Sequence, residues 1–156
     1  MTHAAQKLLI ISRDALLDTL RYAASEQVFR ALARLNRQGF HLLLTAAEPD
    51  RWVPTRRNVD DALNAQRMLL ERFRNAGGEL EGVYYVPRSL LTQDRNREGA
   101  LDDILKRFCV EPAQAILISS SSPFLKAASR VGLGTHEITL KDKQGKNLLS
   151  VLKGLS

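Results

Sequence analysis

The chain has 156 residues, and its 44% hydrophobic content is ordinary for one globular domain over residues 1–156 with a three-layer core. No apolar run approaches the roughly 20 residues of a membrane span, and the start lacks signal-peptide regions, so we expect a cytoplasmic protein. Cys109 is the only cysteine, so we expect neither disulfides nor a thiolate metal cluster. The 23 basic and 17 acidic residues give a charge of +6 without an aromatic-rich nucleic-acid motif, so the charge favours solvated helix faces and identifies no partner.

Strand-like and helix-like patterns alternate along the chain. In one of them, Val28, Leu32 and Leu35 recur at helical spacing before Gly39 ends the pattern. In chain order we predict a strand at 7–11, a helix at 26–38, a strand at 40–45, a helix at 60–76, a strand at 82–86, a helix at 99–108, a strand at 115–118, a helix at 123–131, a strand at 136–140 and a helix at 145–152.

This alternation predicts an α/β fold, in which a doubly wound parallel sheet is flanked by helices in three layers. No repeat, low-complexity tract or linker divides the chain, so we expect a single domain. The longest predicted loop covers residues 46–59, and a loop of this size is often functional.

The first strand ends in a polar triplet. Its apolar run gives way to Ser12, Arg13 and Asp14, which places polar side chains at the carboxyl end of a buried parallel strand. The stretch resembles the first motif of the haloacid dehalogenase (HAD) superfamily of phosphatases, an apolar run followed by Asp, any residue, Asp and Gly. In this chain Ser12 replaces the first aspartate and Ala15 replaces the glycine.

The resemblance extends over nearly the whole chain, in matching order and spacing. Residues 31–45 look like the second motif, residues 77–87 resemble the strand before a zinc loop, and residues 105–135 resemble the closing half. The branch that it resembles most contains D-glycero-D-manno-heptose 1,7-bisphosphate phosphatases and histidinol phosphatases. The resemblance therefore implies a HAD-like Rossmannoid fold, which we expect here without a separate cap domain.

The catalytic motifs are degenerate by this comparison. The resemblance implies that Ser12 replaces the nucleophilic, magnesium-binding aspartate and that Asp14 is a vestigial general acid/base. Ser12 cannot offer magnesium a negative charge, and no histidine is evident beside it to activate its hydroxyl. A polar residue ending a strand is the plainer interpretation of Ser12, and Asp14 can instead cap the following turn.

The closing motif has also lost its acids. In the family a Gly-Asp pair is followed by a second Asp four residues after the first, and here Ser120 and Phe124 stand at the two metal-binding positions. Hydroxyl groups alone make a feeble magnesium site. We expect Ser122 to cap a helix that begins at Pro123, with phosphate capture at the helix N-terminus as the alternative.

Two positions correspond to phosphate-binding residues of the family. Thr45 stands where the second motif has a Thr or Ser, and Arg95 stands for the lysine of the third motif. Arginine presents a planar fork rather than a point charge, so the replacement is not silent. The alternatives are a threonine that merely ends a buried strand and a solvated loop arginine.

Metal and cofactor binding are not expected. Residues 86–94 contain neither cysteine nor histidine, and His3, His41 and His136 are scattered singly, whereas tetrahedral zinc needs about four N or S ligands. Magnesium is expected only if the chain is an active phosphatase.

We interpret the chain as a catalytically inactive pseudophosphatase that binds a partner protein or a phosphorylated ligand. The alternative is a weak or altered phosphatase acting on a sugar phosphate or a similar phosphomonoester.

A third hypothesis, binding of single-stranded nucleic acid, depends on three arginines around an aromatic residue: Trp52 with Arg51, Arg56 and Arg57. No membrane association is expected. We further predict that Ser12, Asp14, Thr45 and Ser120 share one crevice at the strand ends.

Overall fold

Strands and helices alternate along the part of the chain that the computed structural model describes, residues 7–19, 25–47, 56–86, 94–138 and 146–155. In chain order the elements are β1 (Lys7–Ser12), α1 (Arg13–Thr19), α2 (Ser25–Arg37), β2 (Phe40–Ala47), α3 (Arg56–Asn75), β3 (Gly82–Val86), α4 (Asp94–Phe108), β4 (Ala115–Ser119), α5 (Ser122–Val131), β5 (Gly134–Glu137) and α6 (Lys146–Leu155). A 3-10 turn at Pro112–Gln114 precedes β4. None of the described helices has both the length and the apolar character needed to cross a bilayer.

The five strands form one sheet in the order β3-β2-β1-β4-β5, and every neighbouring pair is parallel. The chain leaves β1 first toward β2 and β3, and later returns to the other side of β1 to form β4 and β5. This reversal of direction beside the central strand is the arrangement of a doubly wound sheet, and it creates a crevice at the carboxyl ends of the strands. The predicted fold class is confirmed.

Helices cover both faces of the sheet because alternate strand residues point to opposite sides. On one face Leu9 and Ile11 of β1 belong to a buried cluster with residues of α2, α3 and α6. On the other face Leu8 and Ile10 belong to a second cluster with residues of α4 and α5. The sheet is therefore the middle of three layers.

Glycines permit two of the helix ends. Gly39 follows α2 with a φ of 103°, a conformation that residues with a Cβ rarely adopt. Gly132 follows α5 with a φ of 108°, and its N–H donates hydrogen bonds to the carbonyl oxygens of Ala128 and Ser129. Both glycines let the chain turn directly from a helix into the next strand.

Several predicted boundaries are wrong. The predicted 46–59 loop is shorter at both ends, because β2 continues to Ala47 and α3 begins at Arg56; residues 48–55 lie outside the described part. Helix α4 begins at Asp94 rather than at 99. The prediction missed its first turn because the residues there are mostly charged and show no apolar repeat. Strand β5 lies at Gly134–Glu137 rather than at 136–140, because its partner β4 already ends at Ser119, opposite Glu137.

Candidate functional site

A row of polar side chains crosses the sheet near the carboxyl ends of the strands. Ser12 of β1 is the register partner of Thr45 in β2, and Thr45 is the partner of Tyr84 in β3. On the other side of β1, Ser119 lies one residue beyond the Ile118 that pairs with Ile11, and its own partner in β5 is Glu137. Since neighbouring strands lie about 4.8 Å apart, these residues are adjacent across the sheet.

The row faces the α4 and α5 side of the sheet. The residues two positions earlier on the same strands mark that face, because Ile10, Leu43 and Leu117 all belong to the cluster built with α4 and α5. Thr45 and Ser119 are buried, whereas Ser12 is half-buried. The hydroxyl groups therefore form the polar border of an apolar core.

The structure brings Ser12 and Thr45 together, as the predicted crevice requires. Ser120 is half-buried and directly follows β4, the strand next to β1 on its other side. Asp14 lies in the first turn of α1, but its side chain is outside the described set, so its predicted place in the crevice remains a prediction.

Helix α1 begins directly after β1, and no separate element was predicted there. Asp14 is consequently inside the helix rather than in the position that precedes it, which is the place of a capping residue. Arg13, the first residue of α1, is half-buried and directly follows Ser12 in the chain. Sequence reasoning passed over Arg13 because the family pattern leaves that position unspecified.

Serine hydroxyls shape the turn after β4. The Oγ atom of Ser119 accepts a hydrogen bond of 3.0 Å from the backbone N–H of Ser121, and the Oγ atom of Ser121 accepts one of 3.4 Å from the backbone N–H of Phe124. Ser121 is therefore the N-cap of α5, and the prediction that Ser122 caps a helix beginning at Pro123 is wrong by one residue. Ser122 instead is the first, exposed residue of the helix.

Phe124 points into the core. Its side chain is only 6% exposed and belongs to the apolar cluster between α5 and the sheet, together with Leu8, Ile10 and Leu117. The position that the family resemblance assigns to the second metal-binding acid thus contributes to packing. Its assignment to a lost metal site remains a prediction.

Arg95 stands apart from this group. It lies in the first turn of α4 and is exposed, so it is on a helix rather than in the predicted loop. Among the described residues, no hydrogen bond or ion pair joins Arg95 to Ser12, Thr45 or Ser120. Its assignment to phosphate binding remains a prediction.

The described residues do not fit a magnesium site at the ends of β1, β2 and β4. The side chains described there, on Ser12, Thr45, Ser119 and Ser120, offer hydroxyl groups, whereas magnesium is held by carboxylates and water. Glu137 is a carboxylate at the same edge, but it is exposed on β5, one strand beyond β4. Throughout the residues with described side chains, no group of three or more His, Cys, Asp or Glu could hold a metal ion.

The perturbed titrating groups lie at the far end of the polar row. The hydroxyl of Tyr84 donates a hydrogen bond of 2.6 Å to Oδ2 of Asp103 in α4, and Arg107 donates to the same oxygen at 3.0 Å. Burial, followed by the hydrogen bond and charge of Asp103, raises the pKa of Tyr84 to about 12. The hydrogen bond from Tyr84 is the main cause that lowers the pKa of Asp103. This network fastens α4 to the edge strand β3.

Known structures with the same architecture identify the fold. A D,D-heptose 1,7-bisphosphate phosphatase from B. bronchiseptica, complexed with magnesium and phosphate, superposes with a TM-score of 0.67 at 18% identity, covering 96% of this chain and 98% of that one. The corresponding enzyme from Burkholderia thailandensis gives a TM-score of 0.55 at 19% identity, over 94% of this chain and 85% of that one. This chain has the fold of the HAD phosphatases.

One further structure of low identity has a similar fold. An uncharacterised protein from Corynebacterium glutamicum gives a TM-score of 0.61 at 13% identity, with 96% of each chain covered. No protein-family model matches the sequence, and no curated protein matches it. The comparisons thus agree with the fold that the motifs implied, at identities that show the fold alone.

Other residues singled out from the sequence lie elsewhere in the sheet or outside the described part. His41, near the start of β2, pairs with Glu81 at 2.7 Å, and His136 lies on β5 opposite Ile118. His3, most of the stretch at 86–94, and Arg51 with Trp52 fall outside the described residues, and the side chains of Arg56 and Arg57 do too. The zinc and nucleic-acid expectations therefore remain predictions.

Proposed function

We propose that this HAD-fold chain is a catalytically inactive pseudophosphatase, which acts by binding a partner protein or a phosphorylated ligand. The observation that carries the proposal is the structure around α5. Ser119 and Ser121 use their hydroxyls to build the turn, and Phe124 is buried in the core, at and beside the positions of the two closing acids. In this proposal the segment contributes to stability rather than holding a metal ion.

The chemistry of phosphoryl transfer supports the same proposal. A HAD phosphatase needs a carboxylate nucleophile and a magnesium ion that offsets the charge of the phosphate. Ser12 lacks the carboxylate, and activation of its hydroxyl requires a neighbouring base. Of the two histidines with described side chains, His41 is at the opposite end of the sheet and His136 is two strands away from β1.

Binding of a phosphorylated ligand is supported by what the strand ends retain. Ser12 and Thr45 present adjacent hydroxyl groups at the crevice, and the half-buried Arg13 follows directly. Hydroxyl donors and a guanidinium group are suited to phosphate oxygens without a metal. The related B. bronchiseptica structure holds both magnesium and phosphate; we propose that this chain keeps the anion-binding part of such a site and lacks the metal-binding part.

A phosphatase assay at high protein concentration tests the proposal. We expect no magnesium-dependent hydrolysis of p-nitrophenyl phosphate or of a sugar bisphosphate above the rate in buffer. Saturable, magnesium-dependent turnover that persists after repurification and disappears in the Asp14→Asn variant would establish the alternative, a weak phosphatase for sugar phosphates or similar phosphomonoesters.

Ligand binding is tested separately by thermal unfolding in inorganic phosphate. Phosphate is expected to raise the melting temperature in magnesium-free buffer, because it binds the folded chain. The Thr45→Val variant keeps the shape of the side chain and removes its hydroxyl, so the phosphate-dependent rise should shrink. An equal rise in both proteins would exclude Thr45 from the site.

A further inference from the structure

A second candidate binding surface lies on the other side of the sheet, over the layer of α2, α3 and α6. A cleft of about 440 Å³ opens between α2 and α6, and a smaller cleft of about 170 Å³ lies between α2 and the end of α3. The two adjoin, since Arg30 and Ala76 line both. We call them together the basic groove; its charged lining residues are Arg30, Arg34, Arg37, Arg72, Lys153 and Glu26.

The charge of the basic groove is strongly positive. Five of these six charged residues are cationic, and Glu26 is the single acidic one among the described lining residues. Glu26 lies 3.7 Å from Arg30, with both side chains mostly exposed, so this pair is weak. The groove therefore attracts anionic groups more strongly than a surface of mixed charge does.

The cations of α2 form a regular stripe. Arg30, Arg34 and Arg37 recur about one helical turn apart and span about 10 Å along the helix axis. One end of the stripe reaches the turn after α3: Nη1 of Arg37 lies 3.2 Å from the point where a Cβ would stand on Gly77. Guanidinium forks bind carboxylate and phosphate groups through paired hydrogen bonds, so the stripe offers several such contacts in a row.

The leucine and phenylalanine side chains that line the groove are largely covered. Leu149 and Leu152 line it, but the packing of α6 against α2 already leaves them 8% and 0% exposed. Phe29, the aromatic residue among the described lining residues, is 2% exposed, and the guanidinium of Arg72 lies 5.8 Å from its ring centroid. The described lining residues therefore offer no open ring on which nucleic-acid bases could stack, and their main means of recognition is charge.

We propose that the basic groove binds an acidic segment of a partner protein, in which carboxylates recur about one helical turn apart. Such a segment matches both the length of the arginine stripe and its spacing. The inference builds on the proposed function, because it names a surface and a partner class for a chain that acts by binding. The groove shares no residue with the strand-end crevice, so the two can be tested apart.

The test uses a fluorescent, alanine-rich peptide of about 20 residues with glutamates at i, i+4 and i+7, long enough to form helix in part. Fluorescence anisotropy is expected to show binding that weakens as salt rises. The Arg34→Glu variant changes an exposed residue in the middle of the stripe and should weaken binding by about tenfold or more. Circular dichroism and thermal unfolding check that this variant is folded.

Lys126→Glu is the matched control. Lys126 is exposed on α5, on the opposite face of the sheet, so this variant makes the same change in net charge away from the groove. Its peptide affinity should stay within about twofold of the parent, since screening weakens distant charges. Equal weakening by both variants would overturn the proposal, because only general charge attraction would remain.

Two competitors distinguish other ligands. Single-stranded oligo(dT) that binds more tightly than the peptide, with the same dependence on Arg34, would replace the proposal with a nucleic-acid surface. Displacement of the peptide by inorganic tripolyphosphate at equal charge concentration would show instead that the groove is a site for small anions. Phosphatase activity in the parent would overturn the proposed function while leaving peptide binding in the groove intact, so the two failures are distinguishable.

Discussion

The side chain of Ser121 accepts a hydrogen bond from the backbone N–H of Phe124, so the residue that caps α5 fixes the residue that packs beneath it. Ser121 has the extended backbone of a capping residue, and Phe124 is three positions into the helix. The first turn of α5 is thereby tied to the core at one end and to β4 at the other, through the hydrogen bond between Ser119 and Ser121. This turn, to which the family resemblance assigns the closing acids, is a structural joint between β4 and α5.

Replacing the capping serine should destabilise the fold. Ser121→Ala removes the acceptor for the N–H of Phe124 and is expected to lower the free energy of unfolding by about 1 kcal/mol, measured by urea denaturation. Ser122→Ala is the matched control, because Ser122 is exposed and is already inside the helix; its effect should stay within about 0.5 kcal/mol. Equal losses in the two variants would contradict the assignment of Ser121 as the cap.

Phe124 should be intolerant of substitution. Phe124→Ala leaves a cavity in a buried cluster and is expected to cost roughly 3–5 kcal/mol of unfolding free energy. Phe124→Asp, which restores the family carboxylate, should cost more because it also buries a charge. Lys126→Asp places the same residue at an exposed position of α5, so it measures the helix effect alone and should be much milder. A well-folded Phe124→Asp protein would show that this position can turn toward the crevice.

The alternation of strand-like and helix-like segments along the sequence was sufficient to predict the sheet and both helical layers. The helix at Arg13–Thr19 escaped prediction because it continues from β1 without an intervening turn signal. The shift of β5 had a different cause, since strand limits are set by the pairing partner, here β4 with Ser119 opposite Glu137. Local sequence carries little information on either point.

The site was predictable where it follows strand ends and unpredictable where it depends on backbone detail or distant pairing. Ser12 and Thr45 end adjacent parallel strands, which the motif order implied. The sequence could not choose between Ser121 and Ser122 as the cap, because the choice depends on which residue leaves the helical conformation. The basic groove is lined by α2, α3 and α6. Only the arginine stripe on α2 can be recognised from sequence spacing, because the other lining residues come from distant parts of the chain.

Tyr84 should titrate at higher pH than an ordinary tyrosine. Its pKa is raised to about 12 from 10.0, since burial and the hydrogen bond to Asp103 favour the protonated hydroxyl. The folded state thus holds a proton that the unfolded state releases, so this stabilisation is complete below pH 10.0 and is lost as pH rises toward about 12. Tyrosinate absorbance after a rapid pH jump, read before unfolding, measures the step.

Two variants assign that step among the three tyrosines of the chain. Tyr84→Phe should remove the last part of the titration. Asp103→Asn should move it to lower pH, because the negative charge that opposes ionisation of Tyr84 is gone. An unchanged final step in the Tyr84→Phe protein would show that another tyrosine is responsible.

Restoring the nucleophile alone should not restore catalysis. Ser12→Asp returns a carboxylate to the end of β1, but Ser120 and Phe124 still leave magnesium without the closing acids. An uncompensated carboxylate repels an anionic phosphate, and the metal normally offsets that repulsion. We expect no magnesium-dependent hydrolysis of p-nitrophenyl phosphate, and a smaller thermal stabilisation by inorganic phosphate than in the parent protein.

The combined change of Ser12, Ser120 and Phe124 to Asp is the variant with the complete set of acids, and the burial of Phe124 is expected to make it unstable. Ser12→Asn is the control for the single variant, because it has nearly the same shape without the charge. Magnesium-dependent turnover by Ser12→Asp that is absent from both Ser12→Asn and the parent would show that another acid completes the metal site. Asp18 on α1 is the first residue to change in that event, since Asp18→Asn should then abolish the recovered activity.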